Sequence, residues 1–159
     1  MVLPQPQRSL YKLLILSGVV VCLAGQSCSH KQKIFKSECD DDKHFKQVTF
    51  KHLMDSLKDY DHKYVEVLGK YEEGKEQSAL VIDSLLDDQS NKNALWVDFS
   101  QDCPLYLAGT HTGLFEYNDS GFTQLKDKAI TIRGKIDLHN KGHLKQYKAA
   151  IERVSYIKF

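Results

Sequence analysis

Ten residues, Ala129-Ile-Thr-Ile-Arg-Gly-Lys-Ile-Asp-Leu138, constrain this chain most, because Ile130, Ile132, Ile136 and Leu138 alternate with Thr131, Arg133, Lys135 and Asp137. Alternation of this kind is a strand with one dry face. Gly134 occupies an apolar-phase position without a side chain, and glycine inside a strand marks a bulge, a sharp bend or a close backbone approach. The pattern recurs in Tyr64-Val-Glu-Val-Leu-Gly-Lys-Tyr71, where Val65 and Val67 precede an in-phase Gly69 and then a lysine. Two bent strands of one design point to a small closed barrel.

The remaining elements follow in order. Thr49 is a good N-cap, and Phe50, Leu53, Met54 and Leu57 at helical spacing predict an amphipathic helix to about Asp59. Strand one is expected over residues 63–71, strand two over 78–85, and strand three over 94–99 with Leu95 and Val97 facing opposite to Trp96. A polar loop, 87–93, separates strands two and three. A long connection, 100–128, carries three glycines and a segment at 122–126 that reads as a helical turn. Strand four is the stretch described first, and His139 to His143 form a turn. Strand five runs from about Gln146 to Phe159, its phase slipping at Glu152 and Arg153, which predicts a bulge.

Five strands, a long connection between the third and fourth, and glycine bends in the first and fourth together resemble the oligonucleotide/oligosaccharide-binding (OB) fold, a partly open Greek-key barrel. The expectation is therefore an all-β domain, an OB-like barrel preceded by the helix, with a small β-sandwich as the rival. That resemblance implies ligands across strands two and three, beneath the loops Glu72–Gln77 and His139–His143. Trp96 is the candidate stacking platform, with Lys70, Arg133, Lys135, His139 and His143 as candidate polar contacts. The competing reading packs Trp96 beneath the helix or the long connection.

The N-terminal stretch has a different character. Arg8 and Lys12 precede a thirteen-residue apolar run, Leu13 to Gly25, of the length of an export signal's core and short for a membrane span. It is followed by Gln26-Ser27-Cys28, and here the chain resembles bacterial prolipoproteins with a relaxed lipobox, which implies acylation of Cys28. A secretory signal cut near Ala24 and an uncleaved anchor are the alternatives. The expected layout is a signal over 1–27, a flexible polar tether over 28–47 and the barrel domain over 48–159, facing the periplasm. Beyond Cys28, Cys39 and Cys103 are left as a candidate disulfide or as two free thiols.

Composition narrows the function. With 22 basic and 21 acidic residues, and 20 against 21 once residues 1–27 are removed, the chain lacks the basic surface that phosphate neutralisation demands, so nucleic acid is an unexpected partner and a single-stranded nucleic-acid binder is an alternative that the fold resemblance alone implies. There is no Gly-x-Ser-x-Gly elbow, phosphate-cradling glycine loop, His-Glu-x-x-His or Cys-x-x-Cys, which argues against an enzyme, a hydrolase included. His139 and His143 have a spacing that binds metal on a helix, but Asn140 and Gly142 place them in a turn, and Asp40, Asp41, Asp42 and His44 read as solvated linker. No metal and no cofactor are expected. The sequence reading is a lipid-anchored envelope module that binds or scaffolds, its partner an envelope protein or a saccharide.

Overall fold

The computed structural model describes residues 32–82, 93–117 and 121–159. Its strands are β1 (Ile34–Lys36), β2 (Lys46–Thr49), β3 (Tyr64–Gly74), β4 (Gln77–Val81), β5 (Leu95–Val97), β6 (Tyr106–Leu107), β7 (Ala129–Asp137) and β8 (Ala150–Lys158). One short helix, α1 (Phe50–Asp55), runs into a 3-10 turn over Leu57–Tyr60. The expected signal, Cys28, the loop 87–93 but for Asn93, and the predicted end of strand two beyond Ile82 lie outside the described residues.

The barrel closes through five strands. β3 pairs antiparallel with β4, β4 with β5, β5 parallel with β8, β8 antiparallel with β7, and β7 antiparallel with β3. This is the OB order, with the parallel pair where a Greek key requires it. Alternation fills the interior: Val65, Val67, Ile130, Ile132, Ile136, Leu80, Leu95, Ile151 and Ile157 are all buried. Gly134 lies where a Cβ would stand 2.7 Å from the Glu152 carbonyl oxygen and 2.7 Å from Ile151 Cγ1. At Gly69 a Cβ would stand 2.7 Å from Leu80 Cγ. Both glycines therefore allow a neighbouring strand to cross close over a bend.

The bulge predicted at Glu152 and Arg153 is present. Pairing of β7 with β8 slips between Arg133 and Lys135, and Arg153 adopts φ 50°, a left-handed conformation uncommon outside glycine. The helix also starts as read, with the Thr49 side chain accepting from the His52 N–H at 3.3 Å.

Residues 32–47 correct the expectation of a flexible tether. β1 pairs antiparallel with the second half of β8, whose first residues pair with β5, and β6 pairs with β1 in turn. β2 pairs parallel with the first half of β3, whose second half pairs with β4. Each long bent strand thus has one side shared by two shorter partners, and the polar N-terminal stretch supplies one partner for each. The parallel β2–β3 pair needs a crossover connection, which α1 and the 3-10 turn provide. Composition misled because strand pairing is made by backbone groups, and exposed Lys46 and Gln47 carry no sign of it.

Asp40, read as solvated linker, is also corrected: its side chain is 1% exposed. Arg153 donates to it from Nη2 at 2.9 Å and Nε at 3.3 Å, Tyr64 Oη donates at 3.3 Å, and Arg153 Nη2 reaches the Cys39 carbonyl at 3.2 Å. Next to it Cys39 and Cys103 form a disulfide, Cα atoms 5.3 Å apart.

Two boundaries differ as well. Residues 122–126 form no helix; Leu114 and Leu125, both buried, hold this connection over the end of the barrel where β7 begins. β8 starts at Ala150 because His143–Lys145 make a 3-10 turn with left-handed Leu144 and Lys145.

Candidate functional site

The loops expected to frame a ligand do meet. His143 Nε2 lies 3.2 Å from Glu76 Oε2, joining the β7–β8 connection to the β3–β4 turn. What they enclose is already filled. Gly142, at φ 62°, brings its backbone so close to the indole that a Cβ would stand 2.6 Å from Trp96 Cγ. The Tyr147 ring packs against Trp96 at 5.4 Å between centroids. Asn140 pins this cover, donating from Nδ2 to Asp98 Oδ2 at 2.8 Å and accepting from Gly142 N–H at 3.0 Å. Burial raises the Tyr147 phenol above its ordinary pKa, with nearby Glu72 adding to the shift. Trp96 is half-buried under this connection, so the open stacking platform implied by the resemblance is replaced by a closed aromatic pair.

The candidate cations each have their own carboxylate. Lys70 Nζ is 3.3 Å from Asp127 Oδ1 and 3.8 Å from Glu72 Oε1, and Lys135 Nζ is 3.1 Å from Glu152 Oε1. Arg133 Nε donates to Glu66 Oε2 at 2.6 Å, while its guanidinium lies 4.5 Å from the Tyr156 ring centre and 5.6 Å from that of Phe45. The Arg133–Glu66 and Lys135–Glu152 pairs join β7 to β3 and to β8 across the strands, a structural use of residues read as ligand contacts. His139 does not meet His143; its ring stacks on His62 at 6.1 Å.

The surface that stands open is one sequence reasoning missed. Phe115, Tyr117 and Phe122 are 61%, 73% and 58% exposed on the connection between β6 and β7. Tyr117 and Phe122 meet edge to face at 5.2 Å, and Phe115 meets half-buried Phe99 at 5.0 Å, which in turn packs on buried Tyr71 at 6.2 Å. The aromatics are held from beneath: Leu114 N–H donates to the Leu105 carbonyl at 2.8 Å, and Glu116 Oε2 accepts the Gly113 N–H at 2.8 Å. Three large aromatics between residues 115 and 122, in a stretch without strand alternation, were the available signal. Exposed rings in a group offer flat apolar area for contact, and large patches of this kind mark interaction sites.

A groove of about 780 Å³ runs beside the disulfide, lined by Lys36, Glu38, Asp41, Pro104 and Tyr106. Its lining carries charges of both signs. Among the described residues no helix is long and apolar enough to cross a membrane. Compared with protein-family models, curated proteins and solved structures, the chain matches none.

Proposed function

We propose that this chain is an exported, lipid-anchored, non-catalytic binding module of the bacterial cell envelope, held by Cys28 and meeting its partner through the aromatic end of the barrel. The observation that carries the reading is the exposure of Phe115, Tyr117 and Phe122 together. Rings held in place from beneath lose little freedom on binding, which favours contact there over the half-buried Trp96 face. Export is supported by the Cys39–Cys103 disulfide, a bond that persists in oxidising compartments. Two or three acyl chains on Cys28 would make the attachment stable where one would be marginal.

An oligosaccharide or peptidoglycan fragment is the second reading, favoured by the edge-to-face pair of Tyr117 and Phe122, whose apolar ring faces suit the apolar faces of sugars while the Tyr117 hydroxyl adds a polar contact. Near-balanced charge speaks against nucleic acid.

One experiment tests both halves. The full chain is expressed in bacteria with a photo-crosslinking residue in place of Tyr117, with Cys28 intact or as Cys28→Ser. The intact form should fractionate with membranes and give a discrete adduct, and Cys28→Ser should release the protein. Retention of Cys28→Ser in membranes would remove the acyl anchor. Crosslinking no different from that of the same probe at exposed Lys58 would remove the aromatic surface.

A further inference from the structure

We infer that Asp61, His62 and His139 form a binding site for one divalent transition-metal ion of the imidazole-preferring class, zinc, copper or nickel. Each offers one ligand atom, and the three atoms lie within 4.8 Å of one another. Two imidazoles and a carboxylate are a donor set these ions select over calcium or magnesium.

The convergence is built by the backbone. Asp61 ends the 3-10 turn, and its Oδ1 accepts the Leu138 N–H at 3.1 Å. That bond orients the carboxylate and leaves Oδ2 3.7 Å from His62 Nε2. His62 adopts φ 58°, and its N–H donates to the Ile136 carbonyl at 2.8 Å. His139 is placed from the other side, its N–H donating to Asp137 Oδ1 at 2.7 Å. All three ligands are therefore pinned to the end of β7, at Ile136, Asp137 and Leu138.

Asp137 has a further part. Its Oδ1 lies 3.4 Å from His139 Nδ1, where a carboxylate orients a ligating imidazole and leaves the other ring nitrogen for the metal. A tetrahedral ion needs ligands about 2.0–2.2 Å away, so the donors must close by about 1 Å. Rotation of the exposed His139 ring, which stacks on His62 at 6.1 Å between centroids, supplies this. Three protein ligands leave a fourth position for water or an exchangeable group, the arrangement of an open site.

His139 is distant in sequence from the adjacent pair Asp61 and His62, so local spacing does not display the grouping. The other grouping of metal-type residues among the described residues, Cys39, Asp40 and Cys103, is spent, its sulfurs joined and its carboxylate held by Arg153.

The test uses the full chain extracted in detergent, stripped with a chelator and titrated with Zn²⁺ against a chromophoric competitor. One equivalent should bind. His139→Ala and His62→Asn should each weaken binding by more than tenfold, Asp137→Asn by about tenfold as an orienting residue, and His143→Ala should leave it unchanged. Asparagine tolerates the left-handed backbone of position 62, and His139 is exposed, so both variants keep the fold. Absence of stoichiometric binding by the wild-type chain, or undiminished binding by both histidine variants, overturns the site.

Discussion

Arg153 shows how one residue joins parts of the molecule far apart in sequence. Its left-handed backbone creates the bulge in β8, and the guanidinium then closes on Asp40 and the Cys39 carbonyl. Arg153→Ala would leave the Asp40 carboxylate buried with Tyr64 as its remaining donor, a loss expected to cost about 2 kcal/mol or more. Urea unfolding measures it directly, and an unchanged midpoint would mean that Asp40 is hydrated without the arginine. The sequence made half of this legible. Alternation breaks at Glu152 and Arg153, so the bulge could be read, but Asp40 stands 113 residues away and nothing local announces the pair. Trp96 has the same history: alternation gave its direction, while its cover is the backbone of Gly142, which leaves no side-chain signature.

At the scale of elements, β3 and β7 were readable because a barrel with one dry face imposes a period of two, and the in-phase glycines mark where strands cross closely. Gly134→Val should destabilise the domain by about 3 kcal/mol, since the new side chain meets the Glu152 carbonyl and Ile151, and a backbone oxygen cannot step aside. Thermal unfolding checks this; an unshifted transition would show that the β7–β8 crossing can open at no cost. β1 and β2 escaped notice for a reason of length. Three or four residues are too few to display a period, and their partners, not their side chains, decide that they are strands. The expected helical turn at 122–126 failed conversely: Leu125 is buried as a helix face would be, yet the stretch only turns, with the Lys128 N–H donating to the Leu125 carbonyl.

For the whole molecule the staple is the Cys39–Cys103 disulfide, whose partners are separated by 64 positions. It ties the N-terminal stretch to the connection between β5 and β6. In the chain-entropy account a loop of this size is worth about 4 kcal/mol, so Cys39→Ser with Cys103→Ser should lower the unfolding free energy by up to about that amount. A loss below about 1 kcal/mol would mean that β1 and Asp40 hold the stretch by themselves. Cysteine count made this pair a candidate; only the fold brings the two Cα atoms within bonding range. The docking of β1 on β8 also bears on how the chain acquires its shape. The strand formed by Ile34–Lys36 finds its partner in Tyr156–Lys158, so a chain emerging in order presents β1 long before β8 exists. Contacts this distant in sequence slow folding, because loop closure must be met before they contribute. The barrel can thus close only late, and the Cys39–Cys103 bond must wait for the segment carrying Cys103, 64 positions further on.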